Sequence, residues 1–456
     1  MPTSAFGKIV DAQVSRRSVL AAMGVGSLAA ALAACSGPAT GDNLKNNQKT
    51  DVDWANVVPA KEITWWSNHP GSSKEIEEGL IAKFTAETGI AVKLVTAGAN
   101  YDEVAQRFQA ASGTDSLPDL VIASDVWWFR YFLNGQIMPL DSVFDYLKAD
   151  TADFNTTLFN DYEFEGSHYA APYARSTPLF YYNKDVFKKA GLPDRGPAMW
   201  AEFEEWAPKL AAVLPSDGAP LGMGVGTSWS AWWMSNIMWG RGASWSKDWT
   251  VTLDTPEAIE AGEWVRALYN DNKFASIGND TQADFAAGFF GCFLGSTGSL
   301  KGILDAANFE VGAAFLPDGP VGPGVPTGGT GLAIPSSRSP EQQLAAAQFL
   351  AFLTNAENTA EFSKGTGYMP VRSSAMTGET MTKLYQEIPL YKTAVEQLET
   401  KTRTQDWVRV FVPSGDQILT EGIEQIILKN TPAKDAFAAI TPRLEQAYKE
   451  NVEPYL

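Results

Sequence analysis

The chain has 456 residues, 45% of them hydrophobic and 19% charged, with a formal net charge of −18 at pH 7. That length suits two or three domains, and the balance is that of a globular chain with ample core-forming residues. The acidic excess argues against a nucleic-acid binder, which needs a basic footprint, and two Cys with two His exclude a disulfide framework and a structural zinc site built from those ligands.

The first 35 residues read as an address. Ser15-Arg16-Arg17-Ser18-Val19-Leu20 opens a small-residue apolar run over 21–34, the pattern of a twin-arginine export signal. The run is shorter than the ~20 residues needed to span a bilayer. It ends Leu32-Ala33-Ala34-Cys35-Ser36-Gly37, a lipobox in which Cys35 is the lipidated first residue of the mature chain. Residues 36–60 are polar and rich in small residues, and are expected to form a flexible tether. The expected location is the outer face of the cytoplasmic membrane, with the N-terminal lipid as the only membrane contact.

Residues 63–66 predict a strand, followed by turn chemistry at Ser67-Asn68-His69-Pro70-Gly71. Ser72 with Glu75 three residues on predicts a capped helix, carried by Ile76, Leu80 and Phe84 and stopped at Gly89. A strand over 90–95 completes a β-α-β unit, so a parallel pair is expected. A second helix from about Tyr101 and a third strand over 118–123 follow, leading into Ser124-Asp125. Open parallel sheets bind ligands at the carboxyl ends of their strands, here the 67–71 turn and Asp125.

Residues 169–174 predict a crossing into a second lobe. Phe180-Tyr181-Tyr182 is strand-like, and 200–214 and 256–271 read as amphipathic helices. A Gly- and Pro-dense stretch over 317–331 suggests a return crossing, and the last third is mostly helical. The expected division is 1–35 signal, 36–60 tether, 61–172 with 307–356 as the N-terminal lobe, and 173–306 with 357–456 as the C-terminal lobe. The expected fold class is α/β, two lobes with hinge crossings and a ligand cleft between them.

Enzyme motifs are sparse. No nucleophile elbow and no Walker-type phosphate loop occurs. His69 and His168 lack signature neighbours and read as solvated rather than catalytic, and Cys292 lies in an apolar run that reads as buried. Trp229, Trp232, Trp233 and Trp239 fall within eleven residues. They serve either as core packing or as a stacking wall for a polyol, sugar or quaternary ammonium group. Trp127 and Trp128 beside Asp125 carry the same two readings.

Ala174-Arg175-Ser176-Thr177-Pro178-Leu179-Phe180-Tyr181-Tyr182-Asn183-Lys184-Asp185 resembles the first-crossing segment of bacterial extracellular solute-binding proteins of carbohydrate-type ABC importers. Four further stretches narrow the resemblance to the glycerol-3-phosphate and glycerophosphodiester binders, particularly the actinobacterial glycerophosphocholine binders. They lie at 100–106, 296–300, 366–370 and 403–411. The resemblance implies a ligand wall at Tyr101, Asp125 and Trp229 for the glycerol and headgroup. It implies a polar side at Ser176, Ser296, the Gly329 backbone, Tyr368 and Arg409, including the phosphate. The chemistry fits: Arg presents a planar fork to phosphate oxygens, and glycine lets a backbone approach closely. Asp125 stands where the family often has Glu, one methylene longer.

The function the resemblance implies is capture of glycerol-3-phosphate-type ligands or glycerophosphodiesters such as glycerophosphocholine for delivery to a membrane permease, without catalysis, cofactor or metal, by a monomer. A neutral di- or oligosaccharide binder of the same importer class is the alternative. An exported glycerophosphodiester hydrolase is the reading from another class, and a structural adhesin fits poorly with the β-α-β pattern.

Overall fold

The computed structural model of the chain describes residues 52–278 and 280–456. The twin-arginine segment, Cys35 and the tether up to residue 51 lie outside them. Residues 52–60 were expected to continue the tether. Instead Trp54 is buried in the core and its indole N–H donates to Ser142 Oγ at 3.3 Å. Ala60 N–H donates to Glu341 O at 2.9 Å, so the folded lobe begins before residue 61.

Two five-stranded sheets organise the chain. The first runs in the order Ala91–Thr96, Glu62–Ser67, Leu120–Ser124, Gly328–Ala333, Ala171–Ser176. Glu62–Ser67 is parallel to both of its neighbours, as the β-α-β reading requires. Its connecting helix, Lys74–Thr88, ends at Gly89, whose φ of 71° suits glycine. The helix starts one residue later than expected, with Ser73 at the cap and no capping hydrogen bond. The Ser73 hydroxyl donates instead to Glu77 Oε1 at 3.2 Å, one turn on.

The second sheet runs Ala275–Ser276, Ala219–Gly222, Phe290–Ser296, Pro178–Asn183, Val311–Ala314. This corrects the division expected from sequence, which placed 307–356 in the first lobe. Val311–Ala314 lies antiparallel to Pro178–Asn183, with Gly312 opposite Tyr182. The chain rejoins the first sheet only at Gly328. The expected second-lobe start at 173 moves likewise, because Ala171–Ser176 still pairs in the first sheet. Nor do the helices after residue 356 all sit on the second sheet. Phe362 of helix Ala356–Thr366 packs on Tyr173 with ring centroids 4.5 Å apart, in the same core as Trp65 and Phe349.

The chain crosses between the sheets at Thr177 and around 326–328. Thr177 Oγ1 donates to Pro326 O at 3.0 Å, tying the two crossings together. Gln397 clamps them from behind. Its Nε2 donates to Thr177 Oγ1 at 2.9 Å and to Pro178 O at 2.8 Å, and its Oε1 accepts from Leu316 N–H at 2.7 Å. All of these groups are buried and paired, as buried polar atoms must be. The crossings therefore form a tied pair of connectors under the interlobe cleft.

Candidate ligand-binding cleft

Eight separate stretches of chain meet in the cleft. From the first lobe comes Tyr101, the first residue of helix Tyr101–Ala111, which Asn100 caps by accepting from Glu103 N–H at 2.9 Å. Asp125 directly follows strand Leu120–Ser124, and its N–H donates to Gly329 O at 3.1 Å. Tyr368 follows the Gly367 helix stop, and its hydroxyl lies 3.5 Å from that of Tyr101. Burial pushes both phenols upward from their ordinary range, so they stay protonated and can donate to a ligand.

Ser176 and Gly329, facing each other's strands at the crossing, form the floor. Gly329 has a φ of 101°, and a Cβ there would lie 2.1 Å from Ala174 O, so only glycine fits. The second lobe supplies Ser296 at the end of its strand, Trp229 and Arg409. All eight residues expected from sequence line one cavity, together with Ser228, Trp232 and Gly328.

Arg409 is 2% exposed and dominates the electrostatics. Its Nη1 lies 3.5 Å from Asp125 Oδ2, across the cleft, and in close contact with Gln405 Oε1. Gln405 Nε2 donates to the same Asp125 oxygen at 2.9 Å. On the other edge, Arg409 Nε lies 2.8 Å from Asp416 Oδ1, an ion pair out of line for a hydrogen bond. The second Asp416 oxygen accepts from Ser228 N–H at 2.6 Å. Burial raises the Asp416 carboxyl from its ordinary range, opposed by Arg409 and the Ser228 N–H. Among the described residues, Nη2 of Arg409 makes no hydrogen bond, which leaves one edge of the fork for a ligand.

The tryptophan cluster divides between its two readings. Trp229 is half-buried and lines the cavity, its ring 5.3 Å from that of Trp232, while Trp233 and Trp239 are buried in the second lobe's core. Trp232 also lines the cavity, and its indole N–H donates to Thr327 O at 2.8 Å. Trp127 donates to Asp102 Oδ1 at 2.6 Å, and Trp128 is core.

Of the two strand ends singled out, only Asp125 lines the cavity. Ser67 donates instead to Glu77 Oε1 at 2.9 Å, and Gly71 lies behind the Tyr368 ring. The histidines are not solvated as expected. His69 contacts Glu77 at 2.5 Å and Thr96 at 2.7 Å, and His168 stacks on Phe159 with centroids 3.7 Å apart. Both are held by neighbours with little exposure. Cys292 is buried, and burial pushes its thiol up, away from reactive thiolate.

Sequence reasoning missed Ser228, Gln405 and Asp416. Gln405 lies in the 403–411 stretch, just ahead of the short helix Trp407–Val410 that carries Arg409, and carries no periodic signal of its own. Asp416 carries no local signal, because it meets Arg409 only through the fold.

Residues 79–393 match the model of the bacterial extracellular solute-binding protein family. The structure superposes on the crystal structure of UgpB from Mycobacterium tuberculosis in complex with glycerophosphocholine. The TM-score is 0.83 at 43% identity, covering 86% of this chain and 100% of that one. The sn-glycerol-3-phosphate-binding periplasmic protein UgpB of Escherichia coli K12 is 25% identical over 366 residues, covering 76% of this chain and 82% of the relative. The GacH receptor of Streptomyces glaucescens, solved unliganded and with acarbose, shares the fold at 20% identity, with a TM-score of 0.73 over 87% of this chain and 99% of that one. With its two α/β lobes and its interlobe cleft, this chain belongs to the bacterial extracellular solute-binding protein family.

Proposed function

We propose that the chain captures a glycerophosphodiester, glycerophosphocholine in the first instance, in the interlobe cleft and delivers it to the permease of an ABC importer. The observation that carries this reading is the convergence of Tyr101, Asp125, Ser176, Trp229, Ser296, Gly329, Tyr368 and Arg409 on one cavity. It occurs in a chain 43% identical to a protein crystallised with glycerophosphocholine.

The roles follow from chemistry. The free edge of Arg409 takes a phosphate oxygen as a charge-assisted donor. Ser176, Ser296 and Tyr368 supply neutral donors, and the Gly329 backbone lets the ligand approach the floor. Asp125 accepts from the glycerol hydroxyls, exchanging its present partner Gln405 for them. Trp229 offers a ring face to the headgroup, where a quaternary ammonium gains from the aromatic quadrupole. Closure of the lobes about the tied crossings buries the ligand.

No reaction is catalysed in this reading, and the transport energy comes from a separate ATPase. The chain acts outside the cytoplasm as a monomer, exported through its twin-arginine signal and anchored by lipid on Cys35.

Phosphorus NMR of glycerophosphocholine mixed with the purified protein tests this directly. The expected result is a broadened, shifted phosphodiester resonance that free ligand competes away, with no phosphomonoester appearing over time. A growing monoester signal favours the hydrolase. An unperturbed resonance, with binding of maltose instead, favours the neutral-sugar alternative.

A further inference from the structure

Asp416 is a buried carboxylate for which the account above has no ligand-facing role. It is 4% exposed and sits in the first turn of helix Gly415–Leu428, where the helix dipole favours negative charge. It is held by an ion pair to Arg409 Nε at 2.8 Å and by the Ser228 N–H, which donates to it at 2.6 Å. Arg409 and the Ser228 N–H favour the carboxylate, against the burial that raises this carboxyl from its ordinary range.

Arg409 therefore meets two carboxylates, Asp125 and Asp416. They differ in one respect. Asp125 reaches Arg409 across the cleft at 3.5 Å and is free to turn to ligand hydroxyls. Asp416 belongs to the same lobe as Arg409 and is anchored to the Ser228 backbone, so a ligand does not displace it. The three buried side chains together carry one net negative charge. The neighbouring buried pair, Arg175 with Asp161, cancels internally. A phosphate group entering here meets an arginine whose charge is already half committed.

We propose that Asp416 sets the charge selectivity of the cleft. By permanently engaging one edge of Arg409 it favours phosphodiesters, which carry a single negative charge at the phosphate, and disfavours phosphate monoesters, which carry nearly two. The doubly charged form prevails above a second pKa of about 6. This inference rests on the glycerophosphodiester reading given above. Asp416 acts through Arg409 and the Ser228–Trp229 turn without touching ligand, so it is a positioning and specificity-determining residue.

Calorimetry at pH 7.5 on the full chain tests it with three ligands: glycerophosphocholine, the methyl phosphodiester of glycerol, and glycerol-3-phosphate. The wild type is expected to bind the methyl diester at least ~10-fold more tightly than glycerol-3-phosphate. Asp416→Asn is expected to shrink that ratio about 10-fold, because one negative charge is gone. Asp416→Glu, which keeps the charge but alters the reach, is expected to keep the ratio even where every affinity falls. A merely structural strut would weaken all ligands alike, and that outcome, or an equal loss of the ratio in Asp416→Glu, overturns the proposal. If Asp416→Asn does not fold, equal wild-type affinities for the methyl diester and glycerol-3-phosphate overturn it without any variant. Failure of the wild type to bind glycerophosphocholine is a separate result: it removes the functional reading itself, and this inference with it.

Discussion

Arg175 and Arg409 are both almost wholly buried and both face aspartates, yet they do different work. Arg175 lies one residue before Ser176 on the Ala171–Ser176 strand, where successive side chains point to opposite faces. Ser176 lines the cavity while Arg175 goes beneath the floor. There its Nη1 donates to Tyr162 OH at 2.8 Å and its Nη2 engages Asp161. The same Asp161 oxygen accepts from Thr327 Oγ1 at 2.7 Å. One cation and one anion close on themselves and fasten the crossing strand to residue 327. Arg409 instead has an excess of carboxylate, a glutamine wedged between it and Asp125, and one edge without a hydrogen bond. The contrast separates structure from function better than burial does. A buried arginine whose charge is balanced beneath the cavity floor holds the fold, and one with a nitrogen free of hydrogen bonds beside the cavity is available to a ligand.

The largest expected effect is on the closed pair. Arg175→Ala leaves Asp161 buried without its cation and should cost about 3–5 kcal/mol of stability, read as a lowered urea midpoint. A variant as stable as the wild type would show that the pair is not a fastening. Next comes the floor between the two arginines. Gly329→Ala forces a Cβ within 2.1 Å of a carbonyl oxygen at a φ of 101°. It should cost roughly 2–3 kcal/mol and weaken ligand binding through the distorted crossing.

On the open side, Trp229 is half-buried and faces the cavity. Trp229→Ala should lower ligand affinity by roughly 1–3 kcal/mol, about 5–150-fold, while moving the urea midpoint far less than Arg175→Ala does. The reverse pattern would return Trp229 to the core. The smallest effect concerns Asp406, next to Gln405. Burial raises its carboxyl to about 6, although Trp245 N–H and Trp239 Nε1–H donate to it at 2.7 and 3.1 Å. The folded chain holds this proton to higher pH than the unfolded chain, whose value is near 3.8. This group's contribution to stability is therefore greatest below about pH 4 and is lost as pH rises to about 6. Unfolding of Asp406→Asn against wild type across that window should show the variant lacking this one decline. Parallel pH profiles would contradict the assignment.

Much of the first lobe was legible because its elements are local and periodic. The 63–66 strand, the Gly89 stop and the strand leading into Asp125 each carry their own signal within a few residues. The return crossing was harder to place. Val311–Ala314 is a short strand of Val-Gly-Ala-Ala with no alternation, and its partner lies well over a hundred residues upstream. Trp54 was expected in the tether, because a single aromatic in a short stretch of mixed residues gives no period. Asp125 and Trp229 carried signals of their own, a strand end and an aromatic cluster; the other six cavity residues came from resemblance to a family, and the structure brings all eight together from distant segments. The residues behind them, Gln405 and Asp416, were not legible, because their partners are brought to them only by the fold.

The most direct test of the account is a calorimetric titration of the protein with glycerophosphocholine, wild type against Arg409→Lys, which keeps the charge but loses the planar fork. The account predicts saturable one-to-one binding by the wild type and a loss of at least ~10-fold in the variant, with the urea midpoint recorded alongside to separate binding from stability. Glycerophosphocholine binding of undiminished strength in Arg409→Lys would contradict the role given to the open edge of Arg409.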